Sequence, residues 1–258
     1  MEIAGLYYEE HGSGPPLILS AGLGGSGNYW LPNLPALAAE YRVILYDHRG
    51  TGRSDRALPD ASVEAMAADV LQLMDGLGLS SAHFLGHALG GMVGLELADA
   101  HPERMRKLVI VNGWIVPDPH FLRCFDVRLA LLRDSGPAAY VRAQPIFLYP
   151  AEWISKNSAE LDEQEAGHVA HFPDLATVEG RIAALKAYRC AVPDLIVAPT
   201  LLVAAADDML VPAHCSHALQ QAMNAEPPQL AIMDWGGHAC NVTDPTTFNK
   251  IVLDFLRS

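Results

Sequence analysis

Short apolar runs alternate with amphipathic stretches along most of the chain. Leu17–Ser20 reads as a short buried strand, Leu31–Glu40 is compatible with a helix, and Arg42–Tyr46 reads as another strand. Ser62 can cap a helix that runs through Leu77, because Ala65, Met66, Asp69, Val70 and Leu73 recur at helical spacing. Ala82–Leu85 is a strand, Leu89–Ala100 a helix, and Leu108–Val111 an apolar strand with no polar face. Strands of that kind, alternating with helices, imply a mostly parallel sheet covered on both sides.

The rhythm then breaks. From about residue 116 to 195 helical stretches follow one another with no convincing strand, punctuated by Pro117, Pro119, Pro137, Pro145, Pro150, Pro173 and Pro193. Alternation resumes with the strand Thr200–Val203, a helix near Ala213–Met223, the strand Leu230–Met233 and a closing helix over Pro245–Leu256. The expected class is therefore α/β. A doubly wound, mostly parallel sheet is drawn from residues 1–115 and 196–258, and residues 116–195 form an inserted helical cap.

Composition narrows the function. The chain has 258 residues, 50% of them apolar, which is enough for one large core. Its net charge of −13 repels phosphate backbones and anionic membrane surfaces, so a small-molecule substrate is expected and nucleic-acid or membrane partners are not. The first basic residue is Arg42, so the early apolar run lacks the charged start of a secretory signal. No run approaches the roughly 18 apolar residues of a spanning helix. The four cysteines show no C-x-x-C spacing, and a reduced, cytoplasmic setting is expected. Self-association into a homo-oligomer is left open.

Three points fall at the C-terminal ends of strands, where open α/β sheets hold their ligands. The first is the glycine-rich turn Gly86-His87-Ala88-Leu89-Gly90-Gly91. The second is Asp207-Asp208, and the third is His238 in Gly236-Gly237-His238. Taken singly, each is ordinary: a tight turn, a loop aspartate capping the next helix, a histidine with a satisfied hydrogen bond. Turn, acid and histidine in that chain order resemble the α/β-hydrolase superfamily, with Ala88 in the nucleophile slot of its G-x-S-x-G elbow.

The resemblance covers the whole chain. Ala21-Gly22-Leu23 resembles the superfamily's oxyanion-loop tripeptide, Asp47 to Ser54 its following loop, and Asp208-Met209-Leu210-Val211-Pro212 its acid motif, which favours Asp208 over Asp207. Asn112-Gly113-Trp114, Ala143-Gln144-Pro145, Phe147 to Ala151 and Gly236 to Pro245 look like the pyrimidine-utilisation protein D family of uracil degradation, whose members also carry alanine at the elbow. That likeness implies an α/β-hydrolase fold and hydrolysis of a carbon–nitrogen bond in carbamate or aminoacrylate. It also implies His238 as base, Asp208 as its orienter, the backbone N–H groups of Leu23 and Leu89 beside Gly22 as oxyanion donors, and no cofactor or metal.

Ala88 removes the covalent acyl-enzyme route, so His238 would have to activate water. Two other readings stay open at this level: a serine hydrolase carrying an engineered Ser-to-Ala change, and a non-catalytic ligand binder. Cys240 follows the histidine on the same loop and is expected to be structural. Gly22-Leu23-Gly24-Gly25-Ser26-Gly27 fits the dinucleotide fingerprint, with Asp47 some twenty residues on. However, Asn28-Tyr29-Trp30 and Pro32 are too bulky for the close-packed helix that fingerprint needs. The pairs His168/His171 and His214/His217 lack an obvious third metal ligand.

Overall fold

A computed structural model describes residues 1–190, 196–223 and 226–258. Residues 191–195, the last of the expected cap block, lie outside the described residues, as does its boundary with the core. Strands β1 (Glu2–Ile3), β2 (Leu6–His11), β3 (Pro16–Ser20), β4 (Arg42–Tyr46), β5 (Ala82–His87), β6 (Met105–Val111), β7 (Thr200–Ala205) and β8 (Gln229–Met233) form one sheet. Their order is β1-β2-β4-β3-β5-β6-β7-β8, parallel from β4 onward and antiparallel at β1 and β2. The apolar strands take the centre because both faces are covered. Ile18, Ile44, Phe84, Leu108, Ile110 and Leu202 pack on one side, and Leu17, Leu19, Val43, Leu45, Leu85, Val109 and Val203 on the other.

Helices α2 (Val63–Gly76), α3 (Leu89–Ala100) and α8 (His214–Ala222) cover the first face. The second is covered by α1 (Leu34–Ala38) and α10 (Pro245–Arg257) through Leu37, Phe248, Val252 and Leu256, with the single turn α9 (Cys240–Thr243) leading into α10. The Ser62 hydroxyl accepts from Ala65 N–H at 3.1 Å, the N-cap that the spacing predicts. The stretch Leu31–Glu40 is only partly helical. The chain enters it through a 3₁₀ turn at Gly27–Trp30 and forms α1 late, with Pro35 in the first turn, where a missing N–H costs nothing.

Between β6 and β7 run α4 (Pro119–Leu148), α5 (Ala151–Lys156), α6 (Ser158–Ala170) and α7 (Leu175–Ala187); none of them adds a strand to the sheet. Helix α4 is broken at Gly136, whose φ of +81° no other residue type adopts readily. Among the described residues no helix is long and apolar enough to cross a membrane.

Candidate active site

Register brings the four loops of interest to one rim. Ser20 pairs with Gly86, His87 with Val111, Val111 with Val203, and Ala205 with Met233, so β3, β5, β6, β7 and β8 end together. The loops that leave them carry Gly22-Leu23, Ala88, Asp207-Asp208 and His238.

The elbow is sharp because its glycines leave space for backbone. A Cβ on Gly86 would lie 2.2 Å from the Gly90 carbonyl oxygen, and one on Gly90 would lie 2.4 Å from that of Ser20. Ala88, between them, sits at φ +48°, ψ −112°, a conformation costly for a residue with a Cβ. Its N–H donates to Val111 O at 2.8 Å and its carbonyl accepts from Met92 N–H at 3.1 Å, which fixes the strained residue at both ends. The backbone N–H groups of Leu23 and Leu89 have no hydrogen-bond partner among the described residues.

His238 Nδ1 lies 2.8 Å from Asp208 Oδ2, and both side chains are buried. The second Asp208 oxygen accepts from Leu210 N–H at 2.7 Å and Val211 N–H at 2.9 Å, so the carboxylate is fully engaged. Asp207 does different work: its Oδ1 accepts from Gly237 N–H at 2.8 Å and holds the loop that carries the histidine. That loop needs Gly237, with φ +66° and the Leu148 carbonyl 2.9 Å from where a Cβ would sit. The His238 carbonyl accepts from His87 Nε2 at 2.8 Å and from Asn112 Nδ2 at 2.6 Å. The helical segment is docked to the same loop, since Ala239 N–H donates to Leu148 O at 3.0 Å.

Two arginines with no sequence signal complete the site. Arg181 of α7 donates to Leu23 O through Nε at 3.0 Å, to Gly22 O through Nη2 at 3.4 Å and to His48 Nδ1 at 3.1 Å. His48 continues to Ser20 Oγ at 3.0 Å and Ser20 to Tyr46 Oη at 2.8 Å. Arg128 of α4 donates to Tyr140 and Gln144 and lies over the rings of Phe125, Tyr140 and Phe147. Neither arginine belongs to any of the sequence motifs, so only folding reveals them.

The rival motifs are put to other uses. Gly27 opens a 3₁₀ turn rather than a helix, and its N–H donates to Asp47 Oδ1 at 2.7 Å. Asp47 also receives Arg53 N–H and Nε, which commits its carboxylate to the loop. Cys240 is buried, and burial pushes its thiol up to about 12, far from a reactive thiolate. Asp118, His214 and Cys215 place ligand atoms within 4.8 Å of one another at the seam of α4 and α8. There Asp118 already caps α4 through His120 N–H and pairs with His214, and burial pushes the Cys215 thiol up to about 12.

Three buried histidines make a prediction about pH. Burial, together with the Arg181 charge for His48 and the neighbouring His238 imidazole for His87, holds both well below the ordinary imidazole value; burial lowers His83 to about 4. They are neutral in the fold but take up protons in the unfolded chain below about pH 6.5. Their stability contribution is therefore fully present above that value and is lost as pH falls from about 6.5 toward 4. The loss is up to about 1.4 kcal/mol per pH unit for each residue. Urea unfolding from pH 8 to 4.5 should show this decline, and His83→Gln should flatten it by about one proton; an unchanged slope in that variant would contradict the assignment.

Residues 15–144 match the family model described as alpha/beta hydrolase fold. A protein of Caulobacter sp. (strain K31) named "Putative carbamate hydrolase RutD" is 53% identical over 262 residues, covering 98% of this chain and 96% of that protein. The chain is an α/β hydrolase of the RutD family. The RutD-family fold extends to solved structures. The enol-lactonase from Burkholderia xenovorans LB400 superposes with a TM-score of 0.87 at 26% identity, covering 99% of this chain and 98% of that one. A hydrolase from Pseudomonas aeruginosa PA01 gives a TM-score of 0.87 at 28% identity over 98% and 94% of the two chains.

Proposed function

We propose that this hydrolase cleaves a carbon–nitrogen bond in carbamate or aminoacrylate, small unstable products of pyrimidine ring opening, by means of water activated by His238. The observation that carries the reading is the buried His238–Asp208 pair at 2.8 Å on the same rim as an elbow that holds Ala88 in nucleophile geometry without a hydroxyl. Carbamate follows the printed name of the 53% identical relative; aminoacrylate follows the family resemblance of segments such as Phe147 to Ala151 and Gly236 to Pro245.

The chemistry uses few parts. With Nδ1–H of His238 donated to Asp208, the Nε2 lone pair is free to take a proton from water. The missing serine oxygen at position 88 leaves room for that water. On carbamate the water oxygen bonds to the carboxylate carbon, and the resulting oxyanion meets the N–H groups of Leu23 and Leu89, the close approach being allowed by Gly22. The imidazolium protonates nitrogen, so that the C–N bond breaks, ammonia leaves and bicarbonate remains. On the imine tautomer of aminoacrylate the water oxygen bonds to the imine carbon while the imidazolium protonates nitrogen. His238 then carries the proton of the new hydroxyl to nitrogen, and the developing alkoxide meets the same N–H groups. The C–N bond breaks, ammonia leaves and a 3-oxo acid remains. A positioned base contributes about 10²–10⁴-fold and one oxyanion donor about 3–4 kcal/mol, which suits an already labile substrate and not an unactivated amide. In this reading residues 116–195 act as a lid over the core formed by 1–115 and 196–258, docked through Leu148 and Arg181.

Ala88→Ser tests the water route. The backbone already holds nucleophile geometry, so serine should fit, gain weak activity on activated esters and react with serine-directed phosphonates, as the parent should not. Turnover of carbamate or aminoacrylate should not improve, because the hydroxyl takes the water's place. A variant that hydrolyses the natural substrate faster would sink the water-attack mechanism. A parent that binds small carboxylates yet never exceeds the spontaneous rate would instead be a non-catalytic binder.

A further inference from the structure

The His238 carbonyl is held by a second donor that its burial does not require. His87 Nε2–H donates to it at 2.8 Å and Asn112 Nδ2–H at 2.6 Å, and all three residues are buried. Burial keeps His87 neutral, and its bond alone saves the carbonyl from being buried unpaired. Asn112 is itself anchored at the rim of the sheet. It follows β6 directly, its N–H donates to Val203 O at 2.8 Å, and its Oδ1 accepts from Ala205 N–H at 3.4 Å. Ala205 ends β7, the strand that leads to Asp208. One fully buried side chain thus spans the strand of the acid and the backbone of the base.

The backbone at this point calls for glycine. Asn112 sits at φ +52°, a region that glycine enters freely and other residues seldom do. Asparagine tolerates it and adds a short amide with a donor at one end and an acceptor at the other. An aspartate of the same shape would offer acceptors only.

The ring of His238 needs such an anchor. Asp208 fixes it at Nδ1, but Nε2 has no hydrogen-bond partner among the described residues, since alanine at position 88 supplies no hydroxyl to receive it. The direction of Nε2 therefore depends on where the His238 backbone is held. Donors at the end of β5 and just beyond β6 pin the carbonyl from two strands, whereas a single donor leaves it free to pivot.

We propose that Asn112 is a positioning residue for the base: its amide, set against the ends of β6 and β7, fixes the His238 backbone so that Nε2 faces the space left at Ala88. The proposal rests on the hydrolase reading above for the role of His238. It deepens that reading by naming the side chain that locates the ring where a nucleophile hydroxyl is missing.

The test pairs initial rates of ammonia release with NMR of the full chain carrying isotope-labelled histidine. The His238 Nδ1–H that donates to Asp208 gives a proton signal downfield of the amide envelope, identified by its loss in His238→Ala. Asn112→Gly removes the amide and keeps the backbone conformation. Per folded protein it should lower kcat about tenfold or more with KM unchanged, and it should shift or broaden the Nδ1–H signal. With a catalytic wild type, a folded Asn112→Gly that keeps either the rate or the signal would overturn the proposal. Asn112→Asp, of the same shape but without a donor, should show the same losses and decides if the glycine variant does not fold. If neither folds, the amide serves the fold rather than the base, and the proposal fails. The signal is read without turnover. Its loss in Asn112→Gly, beside a wild type that never exceeds the spontaneous rate, refutes the hydrolase reading alone. Wild-type catalysis that survives Asn112→Gly with the signal intact refutes this proposal alone.

Discussion

Asp208→Asn is expected to lower the catalysed rate by about 10²-fold or more, while Asp207→Asn changes it by less than about threefold. The two aspartates are neighbours in sequence but not in role. Asp208 faces His238 Nδ1 at 2.8 Å, and an amide there cannot stabilise the imidazolium and also favours the wrong tautomer. Asp207 only accepts the Gly237 N–H, which an asparagine oxygen still does. Both variants should keep the wild-type unfolding midpoint within experimental scatter, because an asparagine oxygen at position 208 still accepts from the Leu210 and Val211 N–H groups. Initial rates of ammonia release, with the spontaneous rate subtracted, separate them. Damage from Asp207→Asn with none from Asp208→Asn would reverse the assignment of the acid.

Gly90→Ala should cost more than about 3 kcal/mol of stability, whereas Gly24→Ala should stay within about 0.5 kcal/mol. A Cβ at position 90 lands 2.4 Å from Ser20 O and 2.5 Å from Ala21 O, both rigid backbone atoms of the strand and its exit. The helix-propensity gain of about 1 kcal/mol on replacing glycine in α3 is too small to offset that collision. Any relief must move Ser20-Ala21, and with them the loop that carries Leu23 N–H, so activity should fall beyond the loss of folded protein. At Gly24 a Cβ meets nothing within 4 Å. Urea unfolding of the two variants checks the contrast; a Gly90→Ala protein as stable as wild type would mean that the elbow does not pack against β3 as described.

Much of this was legible in the sequence because the signals were local. The central strands are apolar on both faces, so Leu108–Val111 and Thr200–Val203 announce themselves. The elbow glycines and the Gly236-Gly237 pair mark positions where backbone is approached or φ is positive. What stayed hidden depends on partners far along the chain. Strand β2 ends in Glu9-Glu10-His11 and reads as polar; its acids pair with Arg53 and Arg42 near the sheet edge. The expected helix over Leu31–Glu40 shortens because Pro32 and Pro35 delay its start. Arg181 looks like an ordinary helix-surface residue until α7 is laid against Gly22 and Leu23, more than 150 positions away in sequence.

The most direct test of catalysis by activated water is product release from freshly generated carbamate and aminoacrylate, measured for buffer, wild type and His238→Ala under identical conditions. The imidazole is buried and its carbonyl, not its ring, holds the loop to His87 and Asn112, so the truncated protein should remain folded. Wild type should exceed the spontaneous rate by about 10²-fold or more on at least one of the two compounds, and His238→Ala should fall back to the buffer rate. A folded His238→Ala that retains the wild-type rate would contradict the account.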